Sequence, residues 1–397
     1  MMGIGSIANT GLKAAMTNME AISNNIANAN TVGFKKSHVN FADIYAGGFN
    51  QSYIGFGVKT ESLSQDFSMG RIELTDRGLD LSLSNDGFFV QKNGSGQISY
   101  TRAGRLELDK DNYFMGASGR LQGYPAVNGT IMPSGTLTDL QISQAQIPAK
   151  STNNASLTIN LNASTVPPVL PFSDSDPTTY NYRTDTTVYD SLGQSYPASV
   201  YYIKSADNSW TTQVYMDGQN IGTGNLSFQS NGSLVSTSGM DNLSWNPTSG
   251  AETPQMLSVK FPGTTQYASE NKTNTNDQDG YQAGIPTGFD IDKDGLINVY
   301  YTNGKNQLQG QIAIAKFQAP QGLARAENMS WQATTQSGDP VFDQDASTGS
   351  IHRGTLEYSN VDLTEELVKL MGAQHDFQAN AQVAQTYNQV LQTIEKI

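Results

Sequence analysis

The stretch ANTGLKAAMTNMEAISNNIANA, residues 8–29, sets Ala8, Leu12, Ala15, Met19, Ile22, Ile26 and Ala29 in alternating steps of four and three, and all seven are apolar. That spacing keeps one face of an α-helix turned toward a partner, the pattern of a coiled-coil seam. A second row, Ile4, Ile7, Gly11 and Ala14, lies beside it, and residues 1–34 contain only two charges, Lys13 and Glu20. A helix so poorly charged is unsuited to standing alone in water.

The far end of the chain repeats the spacing at Leu363, Leu367, Leu370, Gln374, Phe377, Ala381, Ala384, Asn388 and Leu391. A further row, Val383, Tyr387, Val390, Ile394 and Ile397, makes this helix apolar on two sides, more than one partner helix can cover. Two matched stripes at opposite ends predict that the terminal helices pair as a coiled coil, each of ~30 residues and about 45 Å long. The surplus apolar surface predicts contacts with other molecules, so these positions are the candidate assembly interface. It also implies terminal segments that order fully only on assembly.

Between the ends the period falls to two, at Leu79–Ser84, Leu106–Leu108 and Leu157–Leu161, which reads as half-buried strands. Asn-Gly pairs at Asn93-Gly94, Asn128-Gly129, Asn231-Gly232 and Asn303-Gly304 supply the positive φ angles of tight hairpin turns. The expected fold is mainly β: two nested antiparallel β domains flanked by the paired N- and C-terminal helices. Pro167, Pro168, Pro171 and Pro177 break the strand pattern, as does the polar run 270–280. The domain reading is therefore helices at 1–30 and 359–397, a connecting segment at 31–72, an inner β domain at 73–147 and 281–358, and an inserted outer β domain at 148–280. The change of period at the connecting segment makes it the expected pivot between helices and β domains.

Composition agrees. Of 397 residues 37% are hydrophobic, 15% charged and 38 are Gly, a loop-rich β balance. Acids outnumber bases 36 to 23, and the net charge of −13 argues against nucleic acid or an anionic membrane as partner. Between 151 and 280 there are 11 acids and 4 bases, so the middle carries most of the excess. The chain has no cysteine, which excludes disulfides and thiolate chemistry. No stretch approaches the ~18 apolar residues of a membrane span, and the N-terminus lacks the basic region of a cleaved signal.

The segment Asn24-Asn25-Ile26-Ala27-Asn28-Ala29-Asn30-Thr31-Val32-Gly33-Phe34-Lys35 resembles the N-terminal signature of the flagellar rod and hook proteins. Ser359-Asn360-Val361-Asp362-Leu363-Thr364-Glu365-Glu366-Leu367, with Phe377–Ala381 after it, resembles their C-terminal signature. Gly87–Val90, Tyr100–Gly104, Leu121–Tyr124 and Gly310–Phe317 resemble the β domain that the family shares, while Val188–Gly193 and Trp210 resemble the additional outer domain of its hook branch. His375, Asn112-Tyr113 and the segment 383–394 depart from the pattern. The resemblance implies a structural subunit that polymerises into a flexible curved tube, with the helices lining an export channel and the outer domain on the surface. It implies as partners copies of itself, the distal rod protein, a hook cap, a hook–filament junction protein and the flagellar export apparatus. The implied location is outside the cell, in the flagellar hook and basal body, reached without a cleaved signal peptide. Neither cofactor nor membrane insertion is implied. Another axial protein of the distal-rod type, or a secreted β-domain adhesin, are the rival readings.

Candidate chemistry is sparse. Asp290-Ile291-Asp292-Lys293-Asp294-Gly295 matches the first half of a calcium loop, but Tyr301 stands where the bidentate Glu belongs, so a turn between strands is the reading. His38, His352 and His375 are scattered without metal-ligand or triad spacing. Lys35-Lys36 follows a helix instead of opening one after a glycine loop, and reads as a solvated helix exit. No residue set meets the requirements of a catalytic site.

Overall fold

A computed structural model describes residues 3–44, 55–127, 129–132, 136–342 and 351–395. It is mainly β, with one long helix at each end: α1, Gly3–Ala27, and α2, Leu363–Glu395. The β part falls into two compact units. One contains residues 1–143, 289–299 and 306–397, and the other contains 144–288 and 300–305.

In the first unit α1 and α2 run antiparallel. Tyr387 meets Gly5, Asn380 meets Gly11, and Glu366 meets Asn25, so positions fall along α2 as they rise along α1. Beyond α1, strands β1 (Ser37–Asp43) and β2 (Val58–Gln65) form an antiparallel hairpin. Thr10 ties α1 to it, bonding through its Oγ1 to Ile7 O (2.7 Å) and accepting from Val58 N (3.3 Å). The described part of the connecting segment is thus a hairpin against the helix. The sheet of this unit is built on Phe88–Lys92, Ile98–Thr101, Gly119–Val127 and Asn306–Ile312. Its core gathers Phe88, Val90, Tyr100, Tyr124, Phe317 and Trp331, with rings meeting edge to face. The strand Leu81–Leu83 was expected to be half-buried but is covered on both faces: Ser82 hydrogen-bonds Thr355 at 2.7 Å instead of facing water.

The second unit is a sandwich. Tyr182–Tyr189, Ser195–Ala206, Ser209–Met216, Gln219–Phe228 and Leu234–Ser238 form a five-stranded antiparallel meander. It faces a second sheet in which Asn154–Asn162 pairs parallel with Gln255–Lys260 and Thr265–Tyr267 and antiparallel with Lys272–Gln278. Alternate residues from both sheets, Leu157, Ile159, Val200, Trp210, Val214, Leu226 and Leu257 among them, fill an apolar core.

The turns differ from expectation in a consistent way. At Asn231-Gly232 and Asn303-Gly304 only the glycine has positive φ, at 85° and 74°, while the Asn side chain accepts the backbone N–H two residues on. At Asn93-Gly94 the positive φ falls on Gly96. These are type I turns closed by a left-handed glycine, the longer hairpin loops. Asp217-Gly218 is a two-residue hairpin turn with both angles positive, at 48° and 72°. Asn128 lies outside the described residues. Asp292–Gly295 closes the same way as Asn93–Gly96: Asp292 Oδ1 accepts from Asp294 N and Leu296 N, both at 2.9 Å, and Asp290 pairs with Arg353. The three carboxylates therefore do not converge, and among the described residues no group of three or more His, Asp or Glu could hold a metal ion. No helix among them is long and apolar enough to cross a membrane.

Candidate functional site

The two signatures meet at the base of the helical pair. Asn25, buried near the end of α1, uses its side chain as a peptide group would: Oδ1 accepts from Ser37 N (2.9 Å) and Nδ2 donates to Ser37 O (2.8 Å). The same Nδ2 donates to Glu366 Oε2 of α2 at 2.9 Å. Asn28 donates from Nδ2 to Asn24 O (2.9 Å) and receives Thr31 Oγ1 (3.1 Å), which caps the helix end. Gly33 then turns the chain at φ 72°, where a Cβ would stand 2.5 Å from Ala103 N, so the close passage against the sheet requires glycine.

Phe34 is buried, with Arg325 over its ring. Asn360 accepts Lys36 N (2.8 Å) and donates to Asp66 O (2.8 Å), joining both signatures to the hairpin exit. Ser359 Oγ accepts Val361 N at 3.2 Å. Asp362 is the N-cap of α2, accepting from Thr364 N (2.8 Å) and Glu365 N (3.1 Å).

Behind this joint lies a buried ion cluster that the sequence reading missed. Lys35, read as solvated, is 1% exposed; its Nζ donates to Glu357 Oε1 and to Ser68 O, both at 2.6 Å. Arg102, also 1% exposed, reaches Glu357 Oε2 at 3.3 Å, and Gly70 N donates to Glu357 Oε1 at 2.8 Å. One carboxylate thus gathers four separate segments of chain. Burial lowers the Lys35 ammonium against the opposing pull of Glu357, and lowers Arg102 likewise. Burial pushes the nearby Asp66 carboxyl up, but hydrogen bonds from Ser68 and Lys36 outweigh it and hold the group below its ordinary value. The signal was present, since Lys35 ends the first signature and Arg102 lies within Tyr-Thr-Arg-Ala-Gly. What was not visible is Glu357, 322 positions from Lys35.

The stripes have different fates. On α1, Ala8, Ala15 and Ile22 are buried, as is Ala29 in the turn after it, while Leu12, Met19 and Ile26 are half-buried. The α1 seam is therefore covered within one molecule. On α2 the inward face is Glu366, Leu370, Ala373, Phe377, Asn380, Ala384 and Tyr387, which shares only Leu370, Phe377 and Ala384 with the predicted stripe. Ala381 is half-buried at its edge. Leu363, Leu367, Leu391, Val383, Val390 and Ile394 are exposed, and none of the described residues covers them. The inward face of α2 accepts polar residues because α1 offers them partners: Asn25 for Glu366, and a glycine notch at Gly11 for Asn380. Ile397 and the side chain of Ile4 lie outside the described residues.

The sequence matches four family descriptions: "Flagella basal body rod protein" over residues 6–35, "Flagellar hook protein FlgE/F/G D1 domain" over 82–162, "Flagellar basal body protein FlaE D2 domain" over 160–281, and "Flagellar basal body rod FlgEFG protein C-terminal" over 352–397. It is 38% identical to the flagellar hook protein FlgE of Escherichia coli K12, with 98% of each chain covered. It is 37% identical to that of Salmonella typhimurium, also over 98% of each, and 30% identical to that of Borreliella burgdorferi, with 98% of each covered. The crystal structure of Helicobacter pylori flagellar hook protein FlgE2 shares the fold, with a TM-score of 0.54 at 14% identity over 72% of this chain and 100% of that one.

Proposed function

The chain belongs to the flagellar hook protein family, a structural component of the flagellum, and on that premise we propose that it polymerises through its terminal helices into a flexible, curved tube. The observation that carries this reading is the exposed apolar surface of α2, spread over more than one face and lying beyond the face that α1 covers. A surface that the described residues do not cover is free to pack on a neighbour. Each copy then offers one face and receives on another, a heterologous contact that propagates as a helix.

In that tube the helices line a channel through which later subunits pass, and the tube acts as a universal joint carrying motor torque. Small residues at the helix contacts, Gly5, Ala8, Gly11, Ala15 and Ala384, permit close approach and sliding. The joint around Glu357 fixes where each helical pair leaves its β unit. The partners of this reading are copies of itself, the distal rod below, a cap during growth and a junction protein above. Delivery runs through the flagellar export apparatus to the outside of the cell, without a cleaved signal.

Electron microscopy of the purified chain at rising concentration tests the proposal. Curved tubes are expected; straight rods would favour a rod-type subunit, and a chain that stays monomeric at every concentration would end the reading.

A further inference from the structure

The chain holds 12 methionines and no cysteine, so every sulfur it offers to an oxidant is a thioether. Oxidation of such a sulfur follows its access to solvent. Met216 and Met240 are buried in the core of the sandwich, whereas Met371 on α2 is 61% exposed, ahead of Met132 at 51% and Met16 at 49%.

Position separates these sulfurs more sharply than exposure does. Met371 follows Leu367 by four residues and Val368 by three, with Leu363 one step of four further back, spacings that set the four side by side on the helix surface. All four are exposed, so they form one apolar patch. Met16 stands instead between Lys13, three residues before it, and Glu20, four after it, the two charges of its helix. Its side of α1 suits water. Methionine suits a contact because its unbranched chain and polarisable sulfur fill irregular apolar space. The sulfoxide is polar and chiral, and fills such space badly.

We propose that Met371 is an oxidation site that governs assembly: a peroxide converts it to the sulfoxide, and a chain so marked joins the polymer poorly. The sulfur lone pair attacks one peroxide oxygen, and an S–O bond forms as the O–O bond breaks. Sulfur loses two electrons, hydrogen peroxide gains them, and water leaves. The inference rests on the polymerising reading above, because that reading makes the apolar surface of α2 the surface that packs on a neighbour. Oxidation then acts on the free chain, before its neighbours arrive.

The test exposes the whole chain, dilute, to hydrogen peroxide and quenches with free methionine. Peptide mapping by mass spectrometry should find oxygen on Met371 before Met132 or Met16, and the treated chain, kept dilute, should melt as the untreated one does. It should then need about tenfold more protein to polymerise, the loss of one apolar side chain from a contact. Met371→Leu stays apolar and takes no oxygen, so after peroxide it should polymerise as the untreated parent does, whereas treated Met16→Leu should be as impaired as the treated parent. Met371→Gln, polar without any oxidant, should match the oxidised parent. Oxygen arriving elsewhere first, an oxidised Met371 chain that polymerises at the parent concentration, or a treated Met371→Leu chain that stays impaired each overturns the site. An untreated parent that forms no polymer overturns the underlying reading, and this site with it.

Discussion

The helices α1 and α2 carry the same four-three spacing, yet most of the stripe is covered within the molecule on one and most of it is exposed on the other. Ala8, Ala15 and Ile22 of α1 are buried against the chain's own helix and hairpin, whereas Leu363, Leu367, Val383, Val390, Leu391 and Ile394 of α2 face outward. The difference comes from neighbours. With α2 on one side and β1–β2 on the other, α1 has two partners, and its first signature is anchored through Lys35 to Glu357. Among the described elements only α1 lines α2 along its length, and the apolar residues of α2 occupy more than one face. Matching apolar spacing in sequence therefore serves stability in one helix and, on the proposed reading, association in the other.

That contrast can be broken most forcefully at its anchor. Glu357→Leu strands Lys35 and Arg102 without their shared carboxylate and should cost about 3–5 kcal/mol of unfolding free energy. Denaturant titration measures it, and a loss under about 1 kcal/mol would show the cluster to be dispensable. Next comes the covered stripe: Ile22→Ala should cost about 3 kcal/mol, seen as a lower melting temperature of dilute monomer. Smaller again is Gly11→Ala, whose Cβ would fall 2.4 Å from Asn380 Oδ1. A net cost of about 1 kcal/mol is expected, the overpacking being partly offset by the better helix propensity of alanine, and adding Asn380→Ala should recover it.

Asp66 gives a pH signature of under about 1 kcal/mol, because its bridge to Lys36 is partly solvated. Its carboxyl is held low in the fold, so its contribution is complete above the unfolded value and disappears as pH falls through the folded one, below about pH 4. Asp66→Asn should flatten that part of the acid limb. The smallest effect on folding belongs to the exposed apolar residues of α2. Leu363→Ser, Leu367→Ser, Val383→Ser, Val390→Ser and Ile394→Ser should each change stability by no more than about 0.5 kcal/mol. Combined, they should abolish polymerisation as read by sedimentation. A combined variant that still polymerises would remove the proposed meaning of the contrast.

The terminal stripes and the β middle were legible because periodicity survives without knowledge of partners. The choice of face on α2 was not. Hydrophobicity favoured the row through Leu363 and Leu367, while the molecule turns Glu366 and Asn380 inward, toward groups hundreds of residues away. Lys35 misled for the same reason: a lysine beside another lysine reads as solvated until a carboxylate from residue 357 is brought to it. In the turns, Asn-Gly marked the right places, but Asn93, Asn231 and Asn303 contribute a hydrogen-bonding side chain in place of a left-handed backbone.

One nitrogen atom, Asn25 Nδ2, is shared by α1, the β1 strand and α2. Spontaneous hydrolysis, the common ageing reaction of asparagine, would exchange it for oxygen and set an acceptor against both Ser37 O and the Glu366 carboxylate. That reaction needs the side chain to close on the following backbone nitrogen, a movement that helical geometry and burial both oppose. The fold thereby slows the chemical clock at the atom on which three of its elements depend.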